Sequence, residues 1–84
     1  MTEFTPSLCH EAAQQAIGAY IQQVGAYGDA EKCRKALQML VSTAALGYGS
    51  LCNQTATIDM MLRTSAHVAA RMESGNAYPT ETVQ

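Results

Sequence analysis

Apolar residues recur along the first third of the chain at steps of three and four, which is the spacing of one face of an α-helix. They are Cys9, Ala13, Ala16, Ile17, Tyr20, Val24 and Tyr27. Thr5-Pro6 precedes them and combines an N-cap residue with a proline whose fixed φ suits the first helical position. This pattern predicts a helix over about residues 6–26 with one buried face, ended by a tight turn near Gly28.

A second apolar series begins after Asp29, which is placed to cap a new helix. Its members are Cys33, Leu37, Leu40, Ala44, Gly47, Leu51, Ile58, Met61, Val68 and Met72, and polar Gln54 and Ser65 fall within the same series. The spacing is close to the seven-residue repeat of coiled coils. A polar residue in such a repeat either fixes the register of an oligomer or drifts to the surface, because a straight helix has 3.6 residues per turn.

The segment Gly47-Tyr48-Gly49-Ser50 decides whether this series forms one helix or two. Each glycine costs roughly 1 kcal/mol within a helix, and Ser50 is able to cap a new helix. We therefore expect two helices, over about 30–47 and 50–73. The alternative is one helix over 30–73, about 66 Å long at 1.5 Å per residue, which the first helix could not cover and which would force oligomerisation.

The composition indicates a single small domain that associates. Only 14% of the 84 residues are charged and 48% are apolar, whereas an average soluble domain is about a quarter charged. A core this small supplies only a few kcal/mol, so part of the apolar surface is expected to meet another chain. The predicted fold is all-α, an antiparallel helical hairpin extended to a three-helix bundle over residues 1–84, and oligomeric. Residues 76–84, after Gly75, are expected to form a flexible tail.

The main functional hypothesis is a small non-enzymatic protein-interaction module, such as an adaptor, co-chaperone or inhibitor. It would self-associate as a homodimer or higher oligomer and bind another protein. Tyrosine and methionine give a large contact area at a modest ordering cost, so they are the predicted partner-binding residues. The set is Tyr20, Tyr27, Met39, Tyr48 and Met60. A third possibility is a structural subunit that polymerises through heterologous contacts.

The alternative hypothesis is an oligomeric binder of a small anionic or nucleotide-like ligand. Lys32, Arg34 and Lys35 cluster in the first turns of the second predicted helix, where free amide groups and the helix dipole already favour anions. A neighbouring tyrosine ring would hold the ligand between subunits. The same residues are more often found on a solvated polar face, here with Glu31 partly compensating their charge.

No reaction signature is present, and we predict neither catalysis nor a cofactor. His10 and His67 lack the spacing, to each other and to the cysteines, that metal sites use, so no metal is expected. Cys9, Cys33 and Cys52 are odd in number and lie among apolar or small residues on predicted helices, which is typical of reduced, buried thiols.

Charge and hydropathy exclude further classes of partner. A net charge of −2 disfavours binding to nucleic acid or to an anionic membrane. No apolar run approaches the ~20 residues that a membrane-spanning helix needs, and no basic leader followed by an apolar stretch begins the sequence. We therefore expect a cytoplasmic protein.

Overall fold

The computed structural model describes residues 3–75, which form three helices. They are α1 (Pro6–Gln23), α2 (Ala30–Leu51) and α3 (Gln54–Glu73). No strand occurs within this range, so the all-α prediction is confirmed. The chain divides into two compact units, Met1–Ser42 (unit 1) and Thr43–Gln84 (unit 2), and the boundary falls inside α2. The tail predicted over 76–84 lies outside the described residues.

A polar residue caps the start of each helix. Thr5, Asp29 and Asn53 each use a side-chain oxygen to accept a hydrogen bond from the amide three residues further on, at 3.1, 3.1 and 2.8 Å. These bonds satisfy backbone donors that have no partner within the first helical turn. The first two caps are those that the sequence predicts. The third is not, because Ser50 was the predicted cap.

α1 ends at Gln23, three residues before the predicted end. Gly25 adopts a left-handed conformation with φ of 77°, which a glycine reaches without steric cost. The amide of Ala26 then donates to the carbonyl of Ile21 at 3.0 Å, as in a Schellman motif. This reversal of the chain leaves Ala26 only 2% exposed.

The break predicted between Gly47 and Gly49 is not found, because α2 continues through both glycines to Leu51. A close approach within unit 2 explains the second glycine: a Cβ at position 49 would lie 3.2 Å from Oγ1 of Thr57. Ser50 does not begin a helix, and its hydroxyl donates instead to the carbonyl of Gly47 at 2.8 Å. Packing with Thr57 therefore outweighs the low helix propensity of Gly49.

The chain turns instead at Cys52-Asn53, so the alternative of one helix over 30–73 is not found either. Asn53 is extended, with φ of −146° and ψ of 177°. Its carbonyl accepts the hydroxyl of Thr57 at 2.8 Å, while the thiol of Cys52 donates to the carbonyl of Tyr48 at 3.3 Å. Local hydrogen bonds thus satisfy polar groups on both sides of the turn.

The apolar faces predicted to be buried are largely exposed. Among residues 3–75, the buried side chains are those of two alanines, Ala26 and Ala36. Ile17, Val24 and Tyr27, which belong to the predicted buried face of α1, are exposed. The helical periodicity is therefore present, but most of the side chains that produce it remain at least a third exposed within the described residues.

Gly47→Ala and Gly49→Ala form a matched pair that tests the close approach in unit 2. Alanine is favoured over glycine within a helix by about 1 kcal/mol. No atom lies within 4 Å of a Cβ at position 47, so we expect Gly47→Ala to raise the free energy of unfolding by about that amount. At position 49 the Cβ would press on Thr57, whose hydroxyl is held by Asn53, so we expect the gain to be lost.

The measurement is urea denaturation followed by circular dichroism, at one protein concentration for all variants. Equal stabilisation by the two substitutions would contradict the close approach between Gly49 and Thr57.

Candidate functional site

The five predicted partner-binding residues divide into exposed and partly buried groups. Tyr27, Met39 and Tyr48 are exposed, the first two by 77% and 64%. Tyr20 and Met60 are partly buried. Tyr20, Tyr27 and Met39 belong to unit 1, whereas Tyr48 and Met60 belong to unit 2. The three exposed residues are available to a partner, and the other two make contacts within the chain.

Tyr20 ties α1 to α2 within unit 1. Its hydroxyl donates to the backbone carbonyl of Ala36 at 2.7 Å, and Ala36 is one of the two buried residues. A tyrosine ring that lies over a small residue lets two helices approach closely while its polar tip finds a partner. Tyr20 therefore has a structural role in addition to any role in binding.

Met60 likewise faces the interior of unit 2 more than its surface. It is partly buried, and its sulfur accepts the hydroxyl of Thr64 at 3.5 Å. The other partly buried residues of α3 are Ala56 and Thr57. Steps of one, three and four residues relate these three positions, so they lie on one side of α3, where Thr57 meets α2 at Gly49.

Met39 borders a small depression on α2. The cavity has a volume of about 260 Å³ and is lined by Lys35, Gln38, Met39 and Ser42. Because all four residues come from one helix, the depression is a groove between neighbouring side chains rather than an enclosed pocket. Met39 forms its apolar wall.

A second face of α3 carries an exposed apolar surface, which we call the α3 stripe. It consists of Ile58, Met61, Leu62, Val68 and Met72, with Ser65 at its centre. The exposed fractions of the five apolar residues run from 36% at Met61 to 66% at Leu62. Leu62 was missed in the sequence, although its position four residues after Ile58 places it beside the repeat.

The residues of the α3 stripe are uncharged, but an ion pair borders the stripe. Asp59, which pairs with Arg63 at 2.7 Å, lies three residues before Leu62 at one edge of the stripe. Arg63 is two residues before Ser65, which corresponds to a rotation of about 160° at 100° per residue. Met60 is five residues before Ser65, hence about 140° away. The centre of the stripe at Ser65 thus lies on a different side of α3 from Arg63 and from Met60.

The free energy gained by burying the α3 stripe can be compared with the free-energy cost of forming a complex. Complete burial of one large apolar side chain contributes about 1.5–3 kcal/mol. The exposed parts of the five side chains together correspond to about 4–8 kcal/mol, or roughly 160–320 Å² of apolar surface. Association costs about 4–15 kcal/mol before side-chain ordering is counted, so the stripe alone suits a weak interaction at most.

The predicted anion-binding residues have acidic neighbours within the chain. Arg34 and Lys35 both pair with Glu31, at 3.3 and 3.8 Å. The backbone amide of Lys32 donates to the carboxylate of Asp29, which occupies the position that an anion would take at this helix end. These contacts disfavour an anion site at the start of α2.

The three cysteines are free thiols, but they are less buried than expected. Cys9 and Cys52 are exposed, and Cys33 is partly buried with its thiol 3.2 Å from the carbonyl of Ala26. Cys52 also lies in the turn after α2 rather than on a helix. Within residues 3–75, no three side chains of the metal-ligating types come together as ligands of one ion.

In comparisons with known proteins, no family model, no curated protein and no solved structure matches the chain. Across the described part of the chain, no helix has both the length and the apolar character required to cross a membrane. Function is therefore inferred from the exposed side chains themselves.

Tyr20→Phe tests the link between α1 and α2. The change removes the hydroxyl that bonds to Ala36, so we expect the free energy of unfolding to fall by about 0.5–1.5 kcal/mol. Tyr27→Phe is the matched control, because Tyr27 is 77% exposed and should change stability by less than about 0.5 kcal/mol. Thermal and urea unfolding at equal protein concentration make the comparison, and equal losses in both variants would refute a specific role for the Tyr20 bond.

Proposed function

We propose that this protein is a small, non-enzymatic protein-interaction module that uses its exposed apolar side chains to associate with itself and with another protein. The observation that supports this most directly is the contrast in burial among residues 3–75. Fifteen large hydrophobic side chains are exposed, whereas the buried ones are two alanines. Contiguous apolar surface on a protein of this size is typical of a binding site.

The exposed residues are of the types that contribute most to protein interfaces. Tyr27 and Met39 lie in unit 1, and Met61 and Met72 lie on the α3 stripe in unit 2. Tyrosine provides a rigid ring with a polar end, and methionine adapts its shape to an irregular partner surface. An adaptor, co-chaperone or inhibitor that docks on a larger protein in the cytoplasm would use such a surface.

Association would also add stability that the small core does not supply. Ordering a residue costs about 1–2 kcal/mol, and a domain without large buried side chains gains little to offset that cost. In an oligomeric three-helix bundle, the exposed leucine, isoleucine and methionine side chains would be covered by a neighbouring chain. We therefore propose that binding and folding are coupled in this protein.

The alternative function, binding of an anionic or nucleotide-like ligand, has less support. Glu31 and Asp29 already neutralise or occupy the positions at which Lys32, Arg34 and Lys35 would hold the ligand. The contacts that these basic residues make are with Glu31 and Asp29, and they do not require an external anion.

Met39→Asp and Leu62→Asp test the proposed interaction in the two units. Each places a charge in an exposed apolar position, so we expect the affinity for a protein partner to fall at least tenfold for the surface that the partner covers, about 1.4 kcal/mol or more. Affinity capture with the immobilised chain, quantified by mass spectrometry and followed by titration of the purified partner, measures the change.

Gln15→Asp is the control for both substitutions. Gln15 is exposed on α1 and belongs neither to the groove beside Met39 nor to the α3 stripe, so the variant has the same change in charge without the loss of an apolar side chain. Capture of the same proteins in the same amounts by all four chains would refute the proposed function.

A further inference from the structure

We infer that the α3 stripe is the surface on which a second copy of this chain docks, with the two Ser65 residues beside each other on the axis of a two-fold dimer. This inference rests on the proposed function and specifies one partner and one surface for it. It depends on three properties of α3: the spacing of its exposed apolar residues, the place of Ser65 among them, and the area that they offer.

The spacing suits the pairing of two like helices. Ile58, Met61, Ser65, Val68 and Met72 follow one another at steps of three, four, three and four. This is the alternation with which side chains of one helix insert between those of another. The residues that form the stripe are themselves uncharged.

Ser65 favours a second copy over an unrelated apolar partner. It is exposed at the centre of the stripe, seven residues from both Ile58 and Met72. Burial of a hydroxyl against an apolar surface is unfavourable unless the hydroxyl forms a hydrogen bond. A two-fold axis beside Ser65 brings the hydroxyl of the other copy to the same place, where each can act as donor or acceptor for the other.

The area of the stripe indicates how strong such a dimer can be. An interface of standard size buries about 800 Å² on each partner, of which roughly 450 Å² is apolar. The α3 stripe offers roughly 160–320 Å² of apolar surface, which is less than that apolar area. This amount fits a weak, reversible dimer rather than a permanent one.

Light scattering behind a sizing column, over a hundredfold or wider range of concentration, tests the inference on the full chain. We expect the mass of the wild-type chain to rise from monomer to dimer. Ser65→Asp would place two carboxylates on the axis, so we expect the dissociation constant of the dimer to increase at least tenfold. Ala70→Asp is the matched control, because it carries the same charge about 140° around α3 and should dimerise as the wild type does.

A second measurement distinguishes loss of contact from loss of folding. In a background with Cys9, Cys33 and Cys52 replaced by alanine, Ser65→Cys is expected to form a disulfide-linked dimer under mild oxidation, because a disulfide needs Cα atoms about 4.4–6.8 Å apart. Ala70→Cys should not become disulfide-linked under the same conditions. Cross-linking of both variants to the same extent, or of neither, would overturn the inference.

The outcomes also separate this inference from the proposed function. A wild-type chain that stays monomeric at every concentration, yet still loses a captured partner upon Leu62→Asp, would overturn the second copy as occupant and leave the interaction module standing. A wild-type dimer that is unaffected by Ser65→Asp would place the self-association elsewhere and overturn the inference.

Discussion

The described part of this protein buries few apolar side chains, and this constrains how its helices are held in place. Ala26 and Ala36 are its buried residues, and neither has a side chain large enough to offset the ordering of several neighbours. The bounds of the helices are therefore set mainly by the capping hydrogen bonds at their ends. Caps at Thr5, Asp29 and Asn53 fix where each helix begins, and their bonds lie within single segments of the chain.

Each of these contacts between helices has a small residue on one side. In unit 1 the hydroxyl of Tyr20 reaches the backbone at Ala36, and in unit 2 Thr57 approaches Gly49, which has no side chain to keep it away. Neither contact by itself removes much apolar surface from water. The large side chains are consequently left at the periphery, where we propose that a partner chain covers them.

The sequence predicted the fold class and two of the three helix starts, because periodicity and caps are local signals. Asn53 was missed because Ser50, three residues earlier, carries the same capping chemistry and follows two glycines. The reason that α2 tolerates Gly49 lies in Thr57, eight residues further on, and no local rule reveals it. Burial could not be predicted either, since periodicity identifies an apolar face but not what covers it. For the same reason, the partner-binding set included Tyr20, whose hydroxyl is engaged within the chain.

The methionines of the α3 stripe make this surface susceptible to oxidation. Met72 is 65% exposed and Met61 is 36% exposed, so both side chains are open in part to oxidants in solution. Conversion of a thioether to a sulfoxide replaces an adaptable apolar group with a polar one. Two of the five apolar members of the stripe would then favour water over another helix. The apolar character of the stripe thus depends on a reducing environment or on enzymatic repair of the oxidised side chains.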